Sequence, residues 1–257
     1  MNYAPPLNEI GKIISFSAVD DSVRNHQAKI NCERVTKRLM DNAPPHDRKA
    51  ILVCYGPSLK ETYKVIPSQE GDVFSVSASH QFLIDRGIIP HAHIDCDPRH
   101  RNAEQLKPHK DVRYWIASCV HPAFTEKLKG HDVSLWHIHN GYASENFIWD
   151  LEPDAWLLVG GGSVGLRAIS LLYSQGYREI DIHGMDSSYA DDEEYAGKDH
   201  IGPPKKQIIS VQCKGRWFKS ALQMIDYARQ FQSDLRLWPD AKIRLYGDGL
   251  LQEMCRP

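Results

Sequence analysis

The chain has 257 residues, enough to bury a full hydrophobic core as one large domain or two small ones. Lysine and arginine together number 31 against 33 acidic residues, and a net charge of −2 gives no reason to expect nucleic-acid binding. No apolar run is long enough to predict a membrane span, and the N-terminus lacks the basic start and apolar core of a signal peptide, so we expect a cytoplasmic protein.

The cysteines and histidines do not follow metal-binding spacings. The six cysteines are scattered without a C-x-x-C pair, so neither a zinc knuckle nor a disulfide scaffold is expected. The histidines form no H-E-x-x-H motif, and for His137 and His139, in a predicted strand, packing is favoured over metal binding. The sequence therefore predicts no resident metal centre.

The N-terminal part differs in character from the rest. Residues 22–42 are polar with apolar residues only at intervals, which is typical of an exposed helix, and the A-P-P-H-D stretch at 43–47 ends it. We predict a helical extension over residues 1–48, packed on the core or forming a homo-oligomer contact, followed by one domain over residues 49–257.

From Lys49 onward, short apolar runs alternate with helical stretches. This pattern predicts an α/β, Rossmann-like fold with a mostly parallel sheet and helices on both faces. The predicted strands cover residues 50–55, 72–78, 92–97, 112–119, 133–139, 155–160, 179–185 and 242–247. Ligands of such sheets bind beyond the carboxyl ends of the strands, so site residues are sought in the loops that follow them.

The first of these loops reads G-P-S-L, from Gly56 to Leu59. Gly56 allows close approach of a ligand, Pro57 suits the start of a helix, and Ser58 offers a hydroxyl and an amide where anions are favoured. The alternative is a helix-capping turn without a ligand.

Two further strand ends carry polar groups. Ser79 begins a predicted helix after the second strand, as a helix cap or as a ligand contact. Asp95 and Asp97 close the third strand, where they could contact a ribose hydroxyl or Mg²⁺ near phosphates. An Asx turn made by Asp97 before Pro98 is the alternative.

A glycine-rich loop follows the sixth strand. Gly160, Gly162 and Gly165 satisfy G-x-G-x-x-G, and Asp186 follows near the end of the next strand, formally a dinucleotide fingerprint. Because the motif comes late in the domain, an NAD(P)-dependent oxidoreductase is the weaker interpretation, and any phosphate could use the same glycines. The predicted ligand contacts in this loop are Gly161, Gly162 and Ser163.

The longest polar loop spans residues 184–207. Such loops are usually functional lids or mobile surface excursions, and both interpretations stay open here. A histidine near tyrosines and lysines could act as a general base beside a cationic phosphate clamp. The loop contains Asp186, Tyr189, Tyr195 and His200, followed by Lys205 and Lys206.

Taken together, the stretches V-C-Y-G-P-S-L, G-I-I-P-H-A-H-I-D-C-D-P and V-G-G-G-S-V-G through G-M-D-S-S-Y resemble the 6-hydroxymethylpterin diphosphokinase MptE-like family. This family also contains the motility accessory factors, which are flagellin-linked sugar transferases. The resemblance covers roughly residues 49–250. A more distant similarity is to bacterial CMP-sialic-acid-dependent sialyltransferases, although those carry asparagine where this chain has Tyr55.

The sialyltransferase likeness implies a nucleotide-sugar donor and a small-molecule or glycan acceptor. It implies that the G-P-S-L loop and Ser163 lie at the donor, that Tyr189 and Tyr195 contact the leaving phosphate, and that His200 is the general base. Aligning His200 requires a gap.

The diphosphokinase branch implies different chemistry, with Mg²⁺ and ATP as cofactors. Diphosphate would pass to a hydroxymethylpterin-like alcohol, with Asp95, Asp97 and Asp186 as metal or hydroxyl contacts. We expect a nucleotide-dependent transferase, with glycosyl transfer ahead of diphosphoryl transfer. A nucleotide-binding protein without catalysis is the alternative from another class.

Overall fold

The computed structural model describes residues 5–13, 19–39, 42–139, 144–191, 193–197 and 207–257. Its centre is an eight-stranded sheet in which every neighbouring pair of strands is parallel. The strands of this sheet are β1 (His46–Val53), β2 (Asp72–Val76), β3 (Ala92–Asp95), β4 (Arg113–Ala117), β5 (Val133–Ile138), β6 (Leu157–Leu158), β7 (Tyr177–His183) and β10 (Lys242–Tyr246). A separate pair of strands is formed by β8 (Ile209–Cys213) and β9 (Arg216–Ser220).

Helices connect most of these strands. The α-helices are α1 (Asp21–Arg34), α2 (Leu59–Thr62), α3 (Ser79–Ile84), α4 (His100–Gln105), α5 (Pro122–Lys127), α6 (Ser144–Leu151), α7 (Val164–Ser174), α8 (Leu222–Asp234) and α9 (Leu250–Cys255). Short 3-10 turns cover Leu7–Glu9, Tyr63–Ser68 and Leu235–Leu237. The Rossmann-like α/β fold is confirmed, and each predicted strand corresponds to one observed strand.

The strand order places a topological switch at the first strand. The order is β10-β7-β1-β2-β3-β4-β5-β6, so the chain builds the sheet outward from β1 and then crosses to its other side. The carboxyl ends of β1 and β7 diverge into separate loops at this point, which is where open α/β sheets form their ligand crevice.

Helix α7 makes the crossover from the edge strand β6 to β7. It packs on β1, β2, β3 and β7, and its buried face includes Leu166, Ile169 and Leu172. The crossover brings the glycine-rich loop to the switch point, because a Cβ at Gly165 would lie 2.6 Å from Met185 Cε and 3.0 Å from Cys54 Sγ. This glycine is required for close packing of α7 against the ends of β1 and β7.

Sequence reasoning did not predict the antiparallel hairpin of β8 and β9. The two strands alternate, with Val211 and Phe218 buried, and the turn Lys214–Gly215 has positive φ at both residues (47° and 80°), as a type I′ turn requires. The alternation is hard to recognise because the exposed face also carries a large apolar residue, Trp217. The hairpin packs its apolar face on α8 and α9 through Ile225 and Leu250.

The predicted exposed helix is shorter than expected and has a buried polar face. In α1 the residues Arg24, Gln27, Ala28 and Asn31 are buried, at helical spacing. Asn31 Nδ2 donates to the carbonyls of Ser118 (2.8 Å) and Val120 (2.7 Å), beyond the end of β4. The helix packs on α5 and α6 and thus on the core, one of the two arrangements that the sequence left open.

The sheet begins before the predicted domain boundary at residues 48/49, since β1 starts at His46, whose register partner is Tyr177. None of the described helices combines the length and apolar character needed to cross a bilayer.

Candidate functional site

A cavity of about 890 Å³ lies at the carboxyl ends of the strands. Its walls come from the turns after β1, β3, β6 and β7, from α1 and α4, and from α8. The volume lies within the range of about 300–1,000 Å³ that small-molecule sites span. The predicted site residues that line it are Gly56, Pro57, Asp97, Gly161, Gly162, Ser163, Asp186 and Tyr195.

The G-P-S-L turn forms part of the wall but uses its own amides. Gly56 N donates to the carbonyl of Gly184 (2.7 Å), Ser58 N to Asp186 Oδ2 (2.9 Å) and Leu59 N to the carbonyl of Gly56 (3.1 Å). Ser58 and Leu59 do not line the cavity, and Leu59 is fully buried in the core. The amides of this loop are thus bonded within the protein, while Ser58 makes no side-chain hydrogen bond that caps α2, and the role of the loop at a ligand stays a prediction.

Gly56 is required by the protein itself. A Cβ at this position would lie 2.5 Å from Asp186 Oδ2 and 2.6 Å from the carbonyl oxygen of Gly184. Such contacts are too short for non-bonded atoms, so the glycine allows the ends of β1 and β7 to approach each other.

Asp186 is the residue that joins these two strand ends. It is buried and lines the cavity, and it accepts the hydrogen bond of Ser58 N. Burial raises the pKa of its carboxyl group, and the hydrogen bond from Ser58 N acts in the opposite direction. Asp186 is thus a buried acid at the switch point with one face toward the cavity.

The glycine-rich loop also has internal partners. Ser163 is the N-cap of α7 and accepts a hydrogen bond from Leu166 N (3.2 Å). Gly162 N donates to Gln230 Oε1 in α8 (2.6 Å). Gly160 to Gly165 nevertheless line the cavity, so their backbone forms a wall that a ligand could approach closely.

The two aspartates after β3 have different surroundings. Asp95 is fully buried outside the cavity, where it accepts a hydrogen bond from Asp97 N (2.8 Å), and burial followed by the charge of Asp97 raises its pKa to about 7. Asp97 lines the cavity and holds Arg99 in a two-pronged ion pair, with Nε 2.7 Å from Oδ1. The structure therefore does not place Asp95 as a ligand contact.

Ser79 has a structural role and does not line the cavity. Its hydroxyl accepts from Val76 N (3.0 Å) and donates to the carbonyl of Val53 (2.6 Å), so it ties the end of β2 to the end of β1. The capping alternative is not observed, since Ser79 is the first residue of α3 and this helix has no side-chain cap hydrogen bond.

The predicted tyrosine pair meets at one carboxylate. Tyr189 and Tyr195 both hydrogen-bond to Glu194. Burial and then Glu194 raise the pKa of Tyr189 to about 12 and that of Tyr195 further still. Both are neutral phenols at physiological pH. Tyr195 lines the cavity and stacks on Tyr55, with ring centroids 6.0 Å apart, whereas Tyr189 does not line it.

His200, Lys205 and Lys206 lie outside the described residues. The role of His200 as a general base therefore stays a prediction. The described part of the loop that leads toward it is anchored by Ala196 N, which donates to the carbonyl of Tyr55 (3.0 Å), and by an ion pair between Glu193 and Lys60.

Sequence reasoning missed most of the arginines of the cavity, which line it together with four acidic residues, Asp97, Asp186, Glu194 and Asp234. Four arginines from α1, the β3–α4 segment and α7 line it: Arg24, Arg99, Arg101 and Arg167. Arg24 pairs with Asp21, and Arg167 donates to the carbonyls of His139 (3.3 Å) and Leu158 (3.4 Å). The only sequence signal was the D-P-R-H-R stretch directly after the third strand.

Arg101 lies in α4 and lines the cavity. Its Nε is buried and has no hydrogen-bond partner within the part of the chain that the structure describes. Burial and the adjacent charge of Arg99 lower its pKa. A cation that burial and a like charge both destabilise would be stabilised by an anion in the cavity.

The fold and the cavity define a Rossmann-like α/β protein with an arginine-lined, glycine-walled crevice at its topological switch point. A family model described as 6-hydroxymethylpterin diphosphokinase MptE-like matches residues 23–192. The chain belongs to this MptE-like family. No curated protein sequence matches it significantly.

The solved structures that are similar to this one include two enzymes. The MAf glycosyltransferase from Magnetospirillum magneticum AMB-1 superposes with a TM-score of 0.69 at 16% sequence identity over 92% of this chain. The match covers 38% of that protein, so this chain spans well under half its length. A mammalian sialyltransferase matches at a TM-score of 0.41 and 11% identity, over 96% of this chain and 90% of that one. The first likeness confirms the fold.

Proposed function

We propose that the protein is a transferase that binds a nucleotide-sugar in the arginine-lined cavity and transfers its sugar to a hydroxyl acceptor. The observation that carries this proposal is the convergence of Arg24, Arg99, Arg101 and Arg167 on one cavity at the switch point. Guanidinium groups bind phosphate oxygens in a two-pronged manner and keep their charge when partly buried.

For glycosyl transfer the protein has to place the substrates, stabilise the charge on the leaving phosphate and accept the acceptor's proton. The bond between the anomeric carbon and the phosphate oxygen breaks, and its electron pair stays with the leaving nucleotide phosphate. Arginines placed at that phosphate stabilise the charge as it develops. The acceptor hydroxyl bonds to the anomeric carbon and loses its proton to a base, for which His200 is our candidate.

For the described tyrosines we propose a role different from the one that the resemblance implied. Since Tyr189 and Tyr195 donate to Glu194, we propose that Tyr195 forms a wall of the donor site and that Glu194 orients it. The MAf glycosyltransferase with the same fold supports a sugar transferase, as a likeness of architecture.

A second candidate is Mg²⁺-dependent diphosphoryl transfer to an alcohol. It is favoured by the family's description and by two carboxylates, Asp97 and Asp186, that line the same cavity. Mg²⁺ commonly binds through one or two carboxylates together with substrate phosphates, and these two residues would hold it. The phosphates would again bind to the arginines.

A ligand screen separates the candidates. Thermal unfolding would be measured with CMP, CDP, UDP, GDP, ATP and NADH, each with and without Mg²⁺, and hits confirmed by calorimetry. A Mg²⁺-independent rise in Tm with a nucleoside mono- or diphosphate supports glycosyl transfer, and a Mg²⁺-dependent response to ATP supports the second candidate. A response to NADH alone, or to no nucleotide, would contradict both.

A further inference from the structure

A second cluster of reactive side chains lies away from the large cavity. Cys32 near the end of α1, His137 in β5 and Glu152 directly after α6 each offer one ligand atom, and these atoms all lie within 4.8 Å of one another. His137 Nε2 is 3.1 Å from Glu152 Oε2. Three distant parts of the sequence thus bring a thiol, an imidazole and a carboxylate together.

The cluster is not arranged as a nucleophilic cysteine site. In such sites the acid binds the ring nitrogen opposite to the one that faces the nucleophile. Here Glu152 bonds to Nε2, while Nδ1 lies 2.9 Å from Ser118 Oγ. Burial and the charge of Glu152 raise the pKa of the Cys32 thiol to about 12, which leaves it without nucleophilic character. The side chains converge on one point and do not form a relay.

Convergence of these groups is the geometry of a metal site. Tetrahedral ligands at about 2.0–2.3 Å from one zinc ion are about 3.3–3.8 Å apart, so small side-chain rotations would complete the set. Thiolate and imidazole select zinc and similar borderline metals over Mg²⁺ and Ca²⁺. The Ser118 hydroxyl is in place to hold the His137 ring so that Nε2 faces the ion, the outer contact that histidine ligands usually have.

Arg38 is compatible with this arrangement. It donates to both oxygens of Glu152, with Nε 2.9 Å from Oε2 and 3.1 Å from Oε1. Each carboxylate oxygen has about two acceptor positions, so an ion can take the position on Oε2 that His137 now occupies while Arg38 keeps its bonds. Arg38 would then fix the orientation of the ligating carboxylate.

A small cavity of about 340 Å³ leads to the cluster and is lined by Arg38, His137 and Glu152. It offers a route for an ion and room for a water molecule in the fourth position. We propose that Cys32, His137 and Glu152 form a zinc-type metal site that joins the end of α1 to β5 and to the segment after α6. The site is separate from the proposed function, because none of its three residues lines the arginine cavity.

Cobalt titration tests the site directly. Metal-free wild-type protein titrated with Co²⁺ should bind one equivalent and develop both the thiolate-to-cobalt band and the strong visible bands of four-coordinate Co²⁺, and one equivalent of Zn²⁺ should abolish them. C32S should lose the thiolate band and bind at least about 100-fold more weakly. C255S, which removes an exposed cysteine, should behave as wild type. A thiolate band that persists in C32S, or that disappears in C255S, would overturn the proposal.

A second test uses wild-type protein, so its result does not depend on whether the variants fold. Cys32 and Cys255 would be alkylated with iodoacetamide with and without equimolar Zn²⁺ and quantified by mass spectrometry. Zinc should slow modification of Cys32 at least about tenfold, leave Cys255 unchanged and raise Tm by several degrees. Equal modification of Cys32 with and without zinc contradicts the site whatever the variants do.

Discussion

The two sides of the large cavity use their polar groups differently. On the side formed by the ends of β1 and β7, the amides of Gly56, Ser58 and Leu59 donate within the protein. On the side formed by α1, α4 and α7, arginine side chains face the cavity, and the buried Nε of Arg101 lacks a partner among the described residues. The first side uses its amides within the protein, and on the second side we propose that Arg101 contacts a ligand.

The G-P-S-L motif can serve either of two purposes, phosphate binding or packing. G-P-S-L looks like a phosphate loop because it combines a glycine, a proline and a hydroxyl at a helix start, but the same residues also solve a packing problem where two strand ends meet. Affinity for an anion depends on charges that nothing else in the protein satisfies. The following experiments test whether packing and ligand binding are divided in this way.

The largest effect, on turnover, is expected from replacing His200 in the 184–207 loop, which belongs to neither of these two sides. If His200 is the general base, H200A should lower kcat by about 10²–10⁴-fold and leave the nucleotide Kd within about threefold. Turnover and calorimetry on the same preparation would separate the two effects. H26A removes an exposed histidine from α1 and is the matched control. Lost binding with preserved turnover per bound donor would contradict the assigned role.

On the charged side, R101A should weaken nucleotide binding about 10- to 100-fold. A hydrogen-bonded ion pair to phosphate contributes about 1.5–3 kcal/mol, and the loss should shrink at high salt because the interaction is electrostatic. The Kd would be measured by calorimetry at two salt concentrations. R244A, which removes an exposed arginine that faces Asp181, controls for overall charge. An unchanged Kd in R101A would mean that the ligand does not use this side.

On the packing side, G56A should lower the free energy of unfolding by about 1–3 kcal/mol or more, since its Cβ would overlap Asp186 and the Gly184 carbonyl. Urea unfolding would measure the loss. The control is G11A, because a Cβ at position 11 has no neighbour within 4 Å, and a change within about 0.5 kcal/mol is expected there. If G56A kept full stability but lost nucleotide binding, the glycine would serve the ligand.

Sequence patterns could predict the sheet and the location of the cavity. The apolar run at residues 50–53 and the alternating stretch at 179–183 are enough to assign strands, and parallel sheets bind ligands at one end. The arginines could not be predicted in the same way, because Arg24 is one of many polar residues in α1 and Arg167 is a single arginine in the otherwise largely apolar α7. Their burial depends on which helix face meets the sheet, and the buried polar face of α1 runs against the hydropathy signal that assigns such faces.

His80 is a buried histidine that does not line the cavity. Burial, with the charge of His109, lowers the pKa of His80 to about 4, and its Nε2 lies 3.2 Å from the Tyr114 hydroxyl. A folded-state pKa below the unfolded value of about 6.5 means that stability is complete above pH 6.5 and falls as the pH drops toward 4.

H80Q should remove this dependence. The stability difference between wild type and H80Q should be about 1–2 kcal/mol smaller at pH 5 than at pH 7, measured by urea unfolding at both values. H26Q, at an exposed position, should show the same difference at both. A difference that does not change with pH would show that His80 titrates normally and that this interior is more open to water than its burial indicates.

The smallest effect on nucleotide binding is expected from replacing Ser58 in the G-P-S-L turn. Ser58 does not line the cavity, its amide bonds to Asp186, and alanine keeps that amide, so S58A should leave the nucleotide Kd within about twofold. Because the buried Ser58 hydroxyl has no hydrogen-bond partner among the described residues, S58A should leave the free energy of unfolding within about 0.5 kcal/mol of wild type. Calorimetry and urea unfolding on one preparation would measure both. A tenfold loss of affinity at unchanged stability would show that the hydroxyl reaches the ligand. The β1–β7 side would then bind the nucleotide as well, and the two sides of the cavity would not differ in function as we propose.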